Sequence, residues 1–205
     1  MRTAVVTGGS GGIGSEVVRQ LRDAGWDVLS LSRHEGTDVS EESQVKAAFS
    51  RLDSLDALIH CAAVLIKKPL TDLSAAEWDA QIDSNLRGAF LCSREAFALM
   101  RGRGGAMVFV SSLSGVAGAE KFPGMAAYVA AKSGLAGLCE ALAVEGRALG
   151  IRVNAISPGA VDTNMLRIAG VEGPALKPAD VARVIVWLAS PESAPVTGGN
   201  LRMDP

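Results

Sequence analysis

The chain has 205 residues, 48% hydrophobic and 20% charged, which suits one domain with a real core and leaves too little length for two. A formal net charge of −2 gives no basic footprint for nucleic acid, and Cys61, Cys92 and Cys139 are too widely spaced for a metal site or a disulfide framework. No run approaches the roughly eighteen apolar residues of a membrane span and the N-terminus enters a strand pattern without a signal peptide, so a soluble cytoplasmic protein with a single domain over 1–205 is expected, with no membrane, nucleic-acid or metal partner.

Thr3 to Thr7 is a short apolar run that leads into Gly8-Gly9-Ser10-Gly11-Gly12-Ile13-Gly14, and a helical pattern over 13–24 follows. Gly8 through Gly12 formally match G-x-S-x-G, the nucleophile elbow of serine hydrolases. That reading needs an acid and then a histidine downstream of the serine. The only histidines, His34 and His60, come early and follow no well-placed carboxylate. A strand before the glycines and a helix after them instead predict a turn whose backbone N–H groups cradle a phosphate at a helix N-terminus.

Further strands are expected at Asp27 to Leu31, Ala57 to His60, Ala106 to Ser111, Ile151 to Ser157 and Gly199 to Met203. Helices are expected over 41–52, 75–101, 126–149 and 178–189. Ser74-Ala75-Ala76-Glu77 reads as a capping box, and Pro178 suits a first helical turn. The strand candidates are continuous apolar runs without alternation, as in a parallel sheet buried on both faces. The alternation of elements predicts an α/β fold, a doubly wound Rossmann-type parallel sheet with helices on both faces. Between Leu31 and Asp38 there is no room for a helix, so a second crossover helix is missing. Ligands of such sheets sit beyond the carboxyl ends of the strands, at the switch point.

The landmarks fall in the order of one family. Thr7-Gly8-x-x-x-Gly12-x-Gly14, Asp38-Val39, Asn85-Leu86-x-Gly88, Ser111-Ser112-x-x-Gly115 and Tyr128-Val129-Ala130-Ala131-Lys132 are followed by Arg152-Val153-Asn154, Pro158-Gly159-Ala160-Val161-Asp162-Thr163 and Val196-Thr197-Gly198. Together they resemble the short-chain dehydrogenase/reductase family over nearly the whole chain, as an unusually short member. The resemblance implies an oxidoreductase that interconverts a carbonyl and a secondary alcohol with NADP, or alternatively NAD. It implies a catalytic set of Asn85, Ser112, Tyr128 and Lys132. It places Gly8, Ser10, Gly12, Ile13, Gly14, Arg33, Asp38, Val39, Ala62, Pro158, Gly159, Val161 and Thr163 on the coenzyme, together with Tyr128 and Lys132. It also implies a homodimer or homotetramer built through the two long central helices.

In that reading Tyr128 is the acid/base. Its phenol, with an ordinary pKa of about 10, is lowered by the Lys132 ammonium one helical turn away. Ser112 donates to the developing oxyanion, and Asn85 holds a water that links Lys132 to solvent. Arg33, at the end of the second strand, suits the 2′-phosphate of NADP, where an acid would suit the ribose of NAD. Phe122, Met125, Met165 and Leu166 predict an apolar substrate pocket. Two alternatives stay open: an NAD-dependent dehydrogenase working in the oxidative direction, and a dinucleotide-binding sensor without turnover.

The departures from the family are also specific. His60-Cys61-Ala62-Ala63 stands where the family has Asn-Asn-Ala-Gly, and His60 and Cys61 are read as packed or hydrogen-bonded structural residues. The loop from Ser112 to Tyr128 is long for the family, and the segment from Asn164 to Lys177 is short for a substrate lid.

Overall fold

The computed structural model describes residues 1–205. Six strands, β1 (Thr3–Thr7), β2 (Asp27–Leu31), β3 (Ala57–His60), β4 (Gly105–Val110), β5 (Ile151–Pro158) and β6 (Asn200–Met203), pair in parallel in the order β2-β1-β3-β4-β5-β6. Successive side chains enter opposite layers. Ala4, Val6, Ile59 and Val108 pack under α1 (Gly12–Asp23) and α7 (Pro178–Ala189). Val5, Leu58, Met107 and Phe109 pack under α2 (Glu42–Phe49), α4 (Gly88–Met100) and α5 (Ala126–Gly146). Both faces are apolar because both are covered, which explains the missing alternation in the sequence.

The chain steps from β1 out to β2 and then returns past β1 to β3. Between Leu31 and Asp38 the chain forms only a 3-10 turn, Arg33–Glu35, and α2 carries the crossover from β2 to β3. The switch point therefore lies between β1 and β3, and the glycine turn and the His60-Cys61-Ala62-Ala63 segment meet there.

Three expectations need correction. The single helix expected over 75–101 consists of α3 (Ala75–Ile82), a π-turn (Asp83–Arg87) and α4. The capping box opens α3 as expected, with Ser74 Oγ accepting from Glu77 N at 3.2 Å and Glu77 Oε2 accepting from Ser74 N at 3.0 Å. The second correction is a short helix, α6 (Asn164–Ala169), in the segment expected to be a short lid. Finally, α5 has the length and composition to cross a bilayer, but it lies along the sheet with Leu135, Cys139 and Ala143 in the core.

The motif around Arg152 has a structural explanation. The Arg152 guanidinium donates to the carbonyls of Leu188 (3.0 Å) and Ser190 (2.9 Å) at the end of α7 and to Ser193 Oγ (2.8 Å). Its charge meets the negative end of the helix dipole. Asn154 spans Val196 O (2.9 Å) and Gly199 N (3.1 Å), and Thr197 Oγ1 accepts from Val153 N at 3.1 Å. These residues clamp β6 onto β5; none of the three lines the cleft described next.

Candidate active site

The carboxyl ends of the strands open on a cleft of about 810 Å³, a size suited to a cofactor with its substrate. Its floor is the glycine turn. Gly8 has φ +67°, in the left-handed region, and a Cβ there would lie 2.7 Å from the Ala62 nitrogen. A Cβ on Gly14 would lie 2.2 Å from the Gly8 carbonyl oxygen, so the start of α1 presses directly on the turn. Gly12 faces the Thr163 methyl, which a Cβ would meet at 2.4 Å. No side chain caps α1, and Gly12, Ile13 and Gly14 line the cleft, so the helix start is free to receive an anion there. This cradle fits a dinucleotide pyrophosphate.

Gly14→Ala is expected to cost about 1–3 kcal/mol of stability and to weaken dinucleotide binding, because backbone must move to admit the methyl group. Gly11→Ala is the control, since its Cβ would come no closer than 3.3 Å to the Gly8 oxygen in extended backbone. Denaturant unfolding and coenzyme titration of both variants check this. Equal losses in the two would contradict it.

At one end of the cleft stand Arg33, His34, Asp38 and Val39. Burial pushes the Asp38 carboxyl up, but bonds from Ser40 Oγ (2.7 Å) and Ser40 N (3.0 Å), with Arg33 nearby, outweigh it and leave the pKa below the usual value. Val39 is buried against Gly88, where a Cβ would lie 2.8 Å from Val39 Cγ2. That contact gives the Gly88 of the asparagine motif a reason. Glu35 went unremarked in the sequence. It accepts from Ser30 Oγ (2.8 Å) and Ser32 Oγ (2.6 Å) and lines a separate recess beside Gly9 and Arg19. The carboxylate is thus turned out of the main cleft, while Arg33 and His34 face it.

At the other end, Ser112, Tyr128 and Lys132 come together. Ser112 follows β4 and caps a 3-10 turn, Leu113–Gly115, by accepting from Ser114 N at 3.1 Å. Ser111 points the other way, donating to the Lys132 carbonyl at 2.9 Å. Gly115 lets this loop touch α5, since a Cβ would lie 2.6 Å from the Lys132 carbonyl carbon. Lys132 Nζ is 5.5 Å from the Tyr128 ring centroid and donates to Val110 O at 2.7 Å. The Tyr128 hydroxyl lies 3.8 Å from Met165 Sδ of α6.

The electrostatics differ from expectation. Burial pushes the Tyr128 phenol up to about 12, against a smaller lowering from its bond with Ser112. Burial also brings Lys132 down to about 8. The phenol is therefore protonated at neutral pH instead of being lowered by the ammonium, because removing it from water disfavours the phenolate.

Asn85 lies outside this group. It is fully buried in the π-turn behind the cleft wall, with Oδ1 accepting from Val64 N and Nδ2 donating to Val64 O, both at 2.8 Å. Its amide braces the wall with one of its two N–H groups and one lone pair of its oxygen. Ser10, Ala62, Pro158, Gly159, Val161 and Thr163 all line the cleft. So do Phe122, Met125, Met165 and Leu166, joined by Leu65, Ala169 and Val171. Lys67, which no sequence signal marks, donates to Ala169 O at 2.5 Å and ties the end of α6 to the loop after β3.

Comparisons with known proteins agree with this geometry. Residues 32–205 match a family model described as enoyl-(acyl carrier protein) reductase. The chain is 31% identical to a 3-oxoacyl-(acyl-carrier-protein) reductase of Rickettsia bellii over 99% of this chain and 95% of that one. It is 35% identical to cis-4-hydroxycyclohexanecarboxylate dehydrogenase of Sinomonas cyclohexanicum, with the same coverage. It is 32% identical to acetoacetyl-CoA reductase of Allochromatium vinosum over 98% of this chain and 96% of that one. Among solved structures, the ligand-free aldohexose dehydrogenase of Thermoplasma acidophilum superposes with a TM-score of 0.91 at 28% identity, covering 99% of this chain and 92% of that one.

Proposed function

The chain belongs to the short-chain dehydrogenase/reductase family, a family of NAD(P)-dependent carbonyl/alcohol oxidoreductases, and from that premise we propose that it reduces a ketone to a secondary alcohol with NADPH. The observation that carries this reading is the meeting of Ser112, Tyr128 and Lys132 at the inner end of a glycine-floored cleft. A bound nicotinamide supplies the hydride; the protein supplies position and the proton. The Ser112 hydroxyl donates to the substrate oxygen. Tyr128, held protonated by burial, gives its proton to that oxygen as negative charge develops. The Lys132 ammonium stabilises the phenolate left behind, which then recovers a proton from solvent. A phenol protonated at neutral pH suits the reductive direction. Asn85 braces the cleft wall through Val64.

The preference for NADPH rests on Arg33. It is exposed at the cleft edge, and Glu35, the one acid of its turn, is held by two serine hydroxyls on the other side. A guanidinium binds phosphate oxygens bidentately. We expect NADPH to bind roughly tenfold to a hundredfold more tightly than NADH, and Arg33→Ala to erase most of the difference. Titration of both coenzymes into both proteins at low salt checks this. Equal wild-type affinities would favour NAD-dependent oxidation.

The substrate end is lined by Leu65, Phe122, Met125 and Met165, which suits an apolar small molecule. Outward residues of the two central helices, Phe90 on α4 and Ala130, Gly137, Ala141 and Val144 on α5, form an exposed apolar strip that supports a homodimer or homotetramer. Light scattering from the purified chain distinguishes these from a monomer. Three free cysteines suit a reducing, cytoplasmic setting.

A further inference from the structure

The turn after β2 carries both kinds of side chain that decide between the two coenzymes. An acid at the end of this strand suits the ribose of NAD and an arginine suits the 2′-phosphate of NADP; Ser32-Arg33-His34-Glu35 holds one of each. A guanidinium and a carboxylate on one short turn cancel at a distance. The field that a 2′-phosphate meets therefore depends on which side of the turn each charge takes.

The backbone separates them. Ser32 continues the extended conformation of β2, at φ −154° and ψ 161°, so Ser30 and Ser32 share one face of the strand while Leu31 enters the core on the other. The Ser32 carbonyl accepts from Glu35 N and Thr37 N, both at 2.9 Å, and Gly36, at φ +84°, takes the left-handed position that closes the turn. Glu35 is thereby brought back onto the two serines. Its Oε2 accepts from Ser30 Oγ at 2.8 Å and from Ser32 Oγ at 2.6 Å. Gly9, which the phosphate-turn spacing does not require, makes the room for this arrangement: a Cβ there would lie 2.1 Å from Ser30 Oγ and 3.1 Å from Val18 Cγ2 of α1. The basic residues of the same recess are engaged elsewhere. Arg19 pairs with Glu16 and Asp23, both at 2.8 Å, and Arg22 donates to Val28 O at 3.3 Å. The serines are thus what holds Glu35.

We propose that Ser30 and Ser32 are positioning residues for coenzyme choice: they hold the Glu35 carboxylate on the α1 side of the turn and leave the Arg33 guanidinium uncancelled at the cleft edge. Without them the carboxylate is free to pair with Arg33 and to repel a 2′-phosphate. The proposal rests on the NADPH reading of Arg33 and extends it to the residues that keep the acid of the turn out of the site.

Titration of NADPH and NADH at low salt into the wild type, Ser30→Ala/Ser32→Ala, Glu35→Gln and the triple variant tests this. The wild-type preference for NADPH, roughly tenfold to a hundredfold, is expected to fall to about threefold or less in the double serine variant, with NADH affinity within about threefold of wild type. Glu35→Gln alone and the triple variant are expected to keep the wild-type preference within about threefold. The triple variant carries the same serine losses, so its recovery also controls for the fold. Serines that merely support the turn would weaken both coenzymes alike. Ser32 also lines the cleft, and serines that bind the phosphate themselves would leave the triple variant as unselective as the double. Either result, or a double variant that keeps its preference, overturns the positioning role while the NADPH reading stands. Equal affinities in the wild type overturn that reading itself, and the positioning role with it.

Discussion

Tyr128→Phe is expected to cut turnover by about 10²- to 10⁴-fold while leaving the fold and the coenzyme affinity close to wild type. Tyr128 is the sole tyrosine of the chain, so the change removes every phenol and keeps the ring. The ring packs with Leu65, Met125 and Ala169, and Phe preserves those contacts. The hydroxyl makes a weak approach to Met165 Sδ and a bond with Ser112, so little folding energy goes with it. Stopped-flow turnover beside a coenzyme titration separates the two effects. A variant that keeps more than about a tenth of the wild-type rate would remove the proton-transfer role.

Lys132→Met is expected to abolish most turnover and at the same time to raise the melting temperature at pH 7. The ammonium is 2% exposed and its pKa falls from 10.5 to about 8 on folding, mainly through burial. The folded state therefore binds its proton less tightly than the unfolded chain does. That cost, roughly 3 kcal/mol, is complete below about pH 8 and fades as pH rises towards 10.5. Losing the bond to Val110 O returns about 1 kcal/mol of it. A net gain near 2 kcal/mol corresponds to roughly 4–8 °C at this chain length. The gain should shrink between pH 8 and pH 10, and thermal melts at several pH values follow it. A variant destabilised at pH 7 would show that the lysine is held by more than function. The same titration predicts that wild-type reduction slows as pH rises through about 8, when the ammonium that stabilises the phenolate is lost.

The parallel sheet was legible in the sequence because it is written in local terms: continuous apolar runs, glycines after the first strand, and helical periods between. The absence of a helix between Leu31 and Asp38 followed from simple length, whereas α2, further on, carries the crossover to β3. The break in the helix over 75–101 was hidden, because Asn85 leaves the regular ladder to bind Val64, a residue distant in sequence. Likewise α6 is too short for a hydrophobic period to announce it. Residue types at the site were legible from their spacing, but their energetics were not. Tyr128 and Lys132 four apart suggest a charge acting on a phenol. Only the burial of both reveals that desolvation is the larger effect on each. The partners of Arg152 and Asn154 lie about forty residues away, and the sequence gives no sign that these residues fasten a strand.

The central claim is that this cleft transfers a hydride and a proton to a ketone. The most direct measurement mixes the purified chain and NADPH with ketones, quinones, β-keto thioesters and enoyl thioesters, following coenzyme oxidation together with the product formed. The account predicts that NADPH is consumed one for one with a secondary alcohol from at least one ketone or β-keto thioester, and that Tyr128→Phe stops it. NADPH that binds but is left unconsumed by every carbonyl, or is consumed only by the enoyl thioesters, would contradict it.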